Sequence, residues 1–303
     1  MYIGVDIGGT NLVAGVLNER MEVVAKFKRP TAIDRGARGV IDDVSEMCFK
    51  AADAADVKPE DIEWIGIGSP GAVDAANGII LFAGNIPYNN SHVAEWVGER
   101  WKCPVYVEND ANAAALGEAY AGAAKDCDSA LLVTLGTGIG GGIILNKRVY
   151  SGFNGTGGEI GHMVIEADGW HCTCGHDGCW EAYSSATGLI RMTREAMPEV
   201  EHADGMTAFK AARAGDNRGQ AVVDKYIKYL SIGLANMINI FQPEMICIGG
   251  GVCNEGDALL LPLIEQTRAR QFKGSPRLTE IRAAALGNDA GVIGAAMLGK
   301  QQK

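Results

Sequence analysis

The stretch from Val5-Asp6-Ile7-Gly8-Gly9-Thr10 to Leu17-Asn18 can be laid without a gap over Val133-Thr134-Leu135-Gly136-Thr137-Gly138 to Leu145-Asn146. Each copy reads as strand, glycine-rich turn, strand, because apolar and β-branched residues flank the glycines. Two unrelated hairpins would give a similar match, since glycine and β-branched residues align easily. A true repeat means two related lobes, each offering a glycine hairpin to the same ligand. That choice sets what the rest of the chain can build.

Around the repeat, strands and helices alternate. Val23 to Phe27 reads as a third strand after the turn Asn18-Glu19-Arg20, and Val40, Ile41, Val44, Met47, Cys48 and Ala51 recur at helical spacing. Ile62 to Ile67 is a buried strand running into Gly68-Ser69-Pro70-Gly71. Val105-Tyr106-Val107 is another strand, followed by a helix over the alanine-rich run 111–119. The second half closes with a long helix over 224–241, a strand over 245–248, the glycines 249–251 and a final helix after Asn288. The order predicts α/β layers. At 303 residues the chain is long enough for two domains. Its 41 glycines are assigned to loops that line sites with backbone.

Three groups of residues carry chemistry. In Asp6-Ile7-Gly8-Gly9-Thr10-Asn11 the glycines let backbone N–H groups approach phosphate oxygens, Thr10 adds a hydroxyl, and Asp6 can hold Mg²⁺ through water. No lysine follows and a strand comes next, so this is neither a Walker loop nor a dinucleotide fingerprint. Gly136-Thr137-Gly138-Ile139-Gly140-Gly141-Gly142 is a second such hairpin, and two of them favour phosphate binding over a structural turn. Glu108-Asn109-Asp110 lies where a strand meets a helix. Asp110 either accepts a proton from a substrate hydroxyl, with Asn109 aligning that hydroxyl, or simply caps the helix that follows.

The third group is the most specific. Gly161-His162 is followed after nine residues by Cys172-Thr173-Cys174 and after four more by Cys179. One imidazole and three thiolates make a closed tetrahedral site, which is a structural zinc site. His171 and His176 stand close enough in sequence to replace His162. Glu159 and Glu181 flank the knuckle, where a pinned loop would hold two carboxylates rigidly for sugar hydroxyls.

Together these segments resemble the ROK family (repressors, open reading frames and kinases), and within it the bacterial glucokinases. The resemblance spans nearly the whole chain. It runs from Asp6-Ile7-Gly8-Gly9-Thr10 through Gly68–Asp74, Glu108–Asn112, Thr134–Gly138, Gly158–His162 and the knuckle to Gly249-Gly250-Gly251 and Ala285–Gly291. It implies an actin-like ATPase fold, a duplicated ribonuclease H-like α/β architecture with two lobes closing over a cleft. The lobes are expected at 1–118 plus about 290–303, and at 119–289. The resemblance further implies that Asp110 is the general base and that Asn85, Asn109, Glu159, His162 and Glu181 contact the sugar, with His162 also on the zinc. Asp6, Gly8, Gly9, Thr10 and Asn11 would form the first ATP loop, Thr137 and Gly138 the second, and Gly250 and Gly251 would lie near adenosine. ATP, Mg²⁺, a structural Zn²⁺, a hexose substrate and a homodimer follow from the same likeness.

The expected activity is therefore phosphoryl transfer from ATP to a hexose, with glucose first. N-acetylmannosamine, N-acetylglucosamine, allose and fructose are the alternative acceptors, and polyphosphate an alternative donor. A sugar-sensing regulator of the same family would carry a helix-turn-helix before the first strand, whereas here the strand begins at residue 2. The net charge of −10 and the lack of a basic stripe speak against nucleic acid as a partner. No apolar run reaches the roughly 18 residues of a membrane span. Eight cysteines, three in the knuckle and two in apolar stretches, fit a reducing cytoplasm rather than a disulfide framework. No basic segment precedes the apolar start Tyr2–Asp6, so a signal peptide is not expected.

Overall fold

A computed structural model describes residues 1–84 and 86–302 of the chain. The first hairpin forms as expected: β1 (Tyr2–Ile7) pairs antiparallel with β2 (Asn11–Leu17), bringing Ile7 opposite Leu12 across the glycine turn. β3 (Val23–Pro30) continues the meander three residues beyond the expected strand. Helix α1 (Gly36–Ala54) buries Val40, Ile41, Val44, Met47, Cys48 and Ala51, the stripe its periodicity foretells. β4 (Trp64–Ser69) then joins β1 in parallel. β5 (Ala72–Asp74), β6 (Ile79–Phe82) and β7 (Asn89–Ser91) make a small antiparallel sheet that the sequence pattern does not announce. After α2 (Val93–Gly98), β8 (Val105–Asn109) completes the order β3-β2-β1-β4-β8, and α3 (Asp110–Ala121) follows directly.

The pattern then recurs. β9 (Ala130–Leu135) and β10 (Ile139–Leu145) occupy the positions of β1 and β2 at one constant sequence offset. With β11 (Arg148–Val149), β12 (Met245–Gly249) and β13 (Glu280–Ala283) they give the order β11-β10-β9-β12-β13. Replace each strand by its counterpart and this is the first sheet again, with the meander on one side and a parallel strand on the other. The repeat is therefore one of fold. This is the mixed α/β architecture of an actin-like ATPase fold. Between β11 and β13 come α4 (Trp180–Ser184), α5 (Ala186–Ala196), α6 (Thr207–Arg213), α7 (Asn217–Phe241) and α8 (Asp257–Arg270). α7 starts where Asp216 accepts the Arg218 N–H at 2.8 Å and stops at the left-handed Gln242. α9 (Ala290–Met297) follows β13 and runs into a 3-10 turn over Leu298–Gln302.

Contacts divide the chain into a unit of residues 1–130, 142–158 and 285–303 and a unit of residues 131–141 and 159–284. These limits differ from the expected lobe limits at 118/119 and 289/290: the segments 119–130, 142–158 and 285–289 pack with the first unit. The core of the first unit joins the inner faces of β1, β2 and β4 to α1 through Ile3, Val5, Ile65, Ile67, Val44 and Met47. Its other face is held by α9, and here the glycines act in a way composition does not reveal. A Cβ on Gly4 would lie 1.9 Å from the Val292 carbonyl oxygen, and one on Gly66 would lie 1.7 Å from that of Ala295. Helix α3 meets α9 equally closely, since a Cβ on Gly294 would lie 1.6 Å from the Ala113 carbonyl. The Trp64 indole N–H donates to the Ala296 carbonyl at 2.7 Å. The assignment of the glycines to loops is thus corrected: several sit in regular elements because backbone packs on backbone there.

The second unit is built around Trp180, Tyr226, Phe209, Leu234 and Leu263, all buried. Trp180 lies against α7 at Gly233 and donates its indole N–H to the Tyr229 carbonyl at 3.2 Å. Among the described residues no helix is long and apolar enough to cross a membrane.

Candidate active site and metal centre

In the first hairpin, the Gly8 N–H donates to the Asn11 carbonyl at 2.8 Å and closes the turn. The residue after β3 reaches back to it: the Thr31 hydroxyl donates to the Gly8 carbonyl at 2.6 Å, and the Thr31 N–H to the Thr10 carbonyl at 2.9 Å. Asp6, at the end of β1, is largely buried. Burial first, and then the negative charge of Asp110, push its carboxyl up to about 6. Gly291 at the start of α9 makes the space for that carboxyl, because a Cβ there would lie 2.7 Å from the Asp6 Cγ.

The junction of β8 and α3 shows which residue caps the helix. The N-cap is Asn109: its backbone is extended (φ −61°, ψ 145°), and its Oδ1 accepts the N–H groups of Ala111 at 2.9 Å and Asn112 at 3.2 Å. Asp110 is the first residue inside the helix, and its Oδ1 takes a further bond from the Ala111 N–H at 2.9 Å. The Asn109 amide nitrogen donates to the Gly71 carbonyl at 3.2 Å, which fixes the loop after β4 to the same place.

Glu108 has a task that its place in the sequence motif does not suggest. Its buried carboxylate accepts the Asn109 N–H at 2.8 Å, the Asn112 amide at 3.1 Å and the Ser151 hydroxyl at 3.2 Å. Burial raises its pKa, against the pull of those three donors. The signal available in the sequence was an acid inside an apolar strand, Val105-Tyr106-Val107-Glu108. Asn85 lies outside the described residues.

The second hairpin is fastened in the same style. The Ala186 N–H donates to the Gly136 carbonyl at 2.8 Å and the Thr187 hydroxyl to the Thr137 carbonyl at 2.7 Å. The Ile139 N–H donates to Glu181 Oε2 at 2.8 Å, and Gly138 has room beside that carboxylate only because it lacks a Cβ. Gly250, with φ 88°, lies against the backbone of Leu135, where a Cβ would meet the carbonyl oxygen at 2.4 Å. Gly250 thus lies at the β9 end of the second hairpin, while a Cβ on Gly251 would meet nothing within 4 Å.

The knuckle gathers the expected donors. Single ligand atoms of His162, Cys172, Cys174 and Cys179 all lie within 4.8 Å of one another. The Cys172 sulfur is 3.7 Å from His162 Nδ1, and the Cys174 and Cys179 sulfurs are 3.6 Å apart. A tetrahedral zinc with Zn–S near 2.3 Å sets its ligands about 3.8 Å apart, so the donors fit that ion in type and spacing. Of the alternative histidines, His171 Nδ1 is engaged with Asp177 at 2.9 Å, and His176 Nδ1 lies 3.8 Å from the Cys174 sulfur. The backbone N–H of His176 is the main reason the exposed Cys174 thiol is held down to about 6, while burial pushes Cys179 up to about 12.

Glu159 and His162 stand at the two ends of one tight turn, closed by the His162 N–H on the Glu159 carbonyl at 3.1 Å. Glu181 is two residues beyond Cys179, and its Oε1 lies 3.8 Å from the Cys172 sulfur. Glu181 thus joins the knuckle to the second hairpin. The sequence, which suggested only sugar contact for it, did not foretell that link.

With this geometry in view, comparison with known proteins is informative. The sequence profile described as ROK family matches residues 2–302. A glucokinase of Halalkalibacterium halodurans is 39% identical over 100% of this chain and 96% of that protein. The crystal structure of a ROK hexokinase from Thermus thermophilus is 35% identical and superposes with a TM-score of 0.88, covering 100% of this chain and 99% of that one. A ROK family glucokinase from Streptomyces griseus, crystallised with glucose and AMPPNP, is 34% identical with a TM-score of 0.81 and covers 99% of both chains. The profile match over residues 2–302 and the full-length similarity lead to one conclusion: the chain belongs to the ROK family.

Proposed function

We propose that this chain is a glucokinase that transfers the γ-phosphoryl group of ATP to the 6-hydroxyl of glucose. One observation carries the reading: two equivalent sheets each present a glycine hairpin, while Asp110 stands at a strand-to-helix junction whose capping is done by its neighbour. Full-length similarity to glucokinases, at 39% and 34% identity, supports the acceptor.

In the reaction proposed, Asp110 accepts the proton of the sugar hydroxyl as its oxygen forms a bond to the γ-phosphorus. The bond from that phosphorus to the β,γ-bridging oxygen breaks, and ADP leaves with the electron pair. Backbone N–H groups of Gly9, Thr10 and Asn11 in the first hairpin, whose turn the Gly8 N–H closes, and of Thr137 and Gly138 in the second, hold phosphate oxygens without a side-chain cation. A Mg²⁺ carried by the nucleotide would neutralise charge on those oxygens, and Asp6 is the carboxylate suited to face it. Gly250 and Gly251 are assigned to the adenosine.

Asn109, Glu159, His162 and Glu181 are assigned to the hexose, and so is Asn85 by family likeness. The sugar takes the side of Glu181 that is not engaged with Ile139, and the ring nitrogen of His162 that does not face the thiols. A Zn²⁺ held by His162, Cys172, Cys174 and Cys179 would supply rigidity and no reactive chemistry, since all four positions are protein ligands.

An ADP-release assay across glucose, mannose, fructose, allose, N-acetylglucosamine and N-acetylmannosamine tests the function. Glucose is expected to give the highest kcat/KM. ADP release that is highest with an amino sugar would overturn the assignment to glucose, and none with any sugar would overturn the kinase.

A further inference from the structure

Both glycine hairpins are gripped from outside by a threonine that the chemistry of phosphoryl transfer does not itself require. In the first, the Thr31 hydroxyl donates to the Gly8 carbonyl at 2.6 Å and its N–H to the Thr10 carbonyl at 2.9 Å. In the second, the Thr187 hydroxyl donates to the Thr137 carbonyl at 2.7 Å and the adjacent Ala186 N–H to the Gly136 carbonyl at 2.8 Å. The two grips are alike in form: one hydroxyl and one backbone N–H, each on a hairpin carbonyl. They come from unrelated places, since Thr31 follows a strand and Thr187 opens a helix.

Carbonyls fixed in this way dictate where amides point. In a trans peptide the C=O and the following N–H are antiparallel, and no peptide among the described residues is cis. Pinning the Gly8 and Thr10 carbonyls therefore turns the N–H groups of Gly9 and Asn11 away from Thr31. Pinning the Gly136 and Thr137 carbonyls likewise turns the N–H groups of Thr137 and Gly138 away from α5. A glycine-rich turn left to itself samples many orientations, including ones that aim a carbonyl at the ligand, which an anionic phosphate would repel. Each grip removes those orientations in advance, so that phosphate binding does not have to.

From this geometry we propose that Thr31 and Thr187 are matched positioning residues for the nucleotide, holding the amides of Gly9 and Asn11 and of Thr137 and Gly138 in phosphate-binding orientation. The proposal rests on the kinase reading given above for what the hairpins bind. It is specific about which ligand each threonine serves. Neither hydroxyl is assigned to the sugar, so their loss affects the nucleotide alone.

The experiment compares Thr31→Val, Thr187→Val and the corresponding serine variants with the wild type. Valine keeps the shape and removes the donor; serine keeps the donor. Steady-state kinetics separate the KM for ATP from that for glucose, and calorimetric titration with AMPPNP measures nucleotide affinity without turnover. Each valine variant is expected to raise the KM for ATP and the Kd for AMPPNP about three- to tenfold, the scale of one net hydrogen bond. The KM for glucose stays within about twofold, and serine restores both nucleotide values. Unchanged nucleotide affinity, an equal rise in both KM values, or serine variants as weak as valine would overturn the proposal. Should Thr31→Val lose its cooperative melting transition, the Thr187 pair, on an exposed side chain, decides the outcome. Wild type that binds AMPPNP but phosphorylates no sugar would sink the kinase reading, while the titrations still decide the grip.

Discussion

Asn109 and Asp110 show how neighbouring residues divide two tasks that sequence alone leaves merged. Either residue type can cap a helix, and the pattern Glu-Asn-Asp-Ala does not say which one does. In the fold Asn109 spends its oxygen on the Ala111 and Asn112 amides, so Asp110 is not needed as the cap. Asp110→Asn is therefore expected to fold normally and keep its KM for glucose within about threefold. Its kcat should fall by roughly 10²–10⁴, the usual worth of a general base. A kcat near that of the wild type, measured by ADP release, would return Asp110 to a structural role. Asp6 makes a second residue-scale prediction. Its carboxyl is raised from 3.8 to about 6, so the folded protein binds the extra proton between those values. The stability it contributes is complete below pH 3.8 and is lost as pH rises through 6. Ionised Asp6 costs the ligand-free protein about 2–3 kcal/mol at neutral pH. Asp6→Asn should raise the Tm at pH 7.5 and flatten the stability profile between pH 4 and 6.5. An unaltered profile in thermal melts would show that this carboxyl is ordinary. Glu108, Thr31 and Thr187 were not legible as functional residues, because their importance lies in which carbonyl or amide they meet. Sequence neighbours do not fix that.

At the scale of elements, hydrophobic periodicity did most of the work: α1 and the two hairpins lie where their patterns put them. The small sheet β5-β6-β7 escaped because its strands are three or four residues long, too short to show alternation. The packing of α9 on β1, β4 and α3 escaped for another reason. Glycine in a strand is usually read as a weakness, yet here it is the condition for backbone contact. Gly66→Ala places a methyl group where the Ala295 carbonyl stands and should destabilise the protein by about 2–4 kcal/mol. For a chain of this size that lowers the Tm by several degrees. Gly98→Ala, with nothing near its Cβ position, serves as the control and should melt within a degree of the wild type. Equal melting of the two variants would refute the close approach. The knuckle is an element of its own, with Cys172 and Cys179 as the buried apolar residues between Gly161 and Trp180. One zinc per chain is expected from metal analysis of protein purified without added zinc. Its removal by a chelator should lower the Tm by at least about 5 °C, because metal binding free energy becomes folding free energy. Metal-free protein with an unchanged melting curve would rule out a structural zinc.

At the scale of the whole molecule, the duplication was the most legible feature, because the β1–β2 hairpin recurs at one offset as β9–β10, and the sheet order around it repeats. What the repeat could not disclose is how sugar and nucleotide influence each other, since that depends on residues outside it. Glu181 supplies a physical link. One of its oxygens is bonded to the Ile139 N–H beside the second hairpin, and the other lies by the Cys172 sulfur on the side assigned to the hexose. A sugar that orders this carboxylate also orders the hairpin, so the nucleotide that binds next has less freedom to remove. Glucose at saturation is therefore expected to tighten AMPPNP binding about fivefold, a coupling of about 1 kcal/mol. Thermodynamic linkage requires AMPPNP to tighten glucose by the same factor. Asp110→Asn should retain the coupling, because it alters proton acceptance and leaves Glu181 in place. Glu181→Gln, which keeps the shape but loses the charge that serves both partners, should reduce it to near unity when titrations are compared at equal glucose occupancy. Calorimetry of the wild type with and without glucose is the deciding measurement. Identical AMPPNP affinities in the two titrations would mean that Glu181 joins the two sites in space but not in energy.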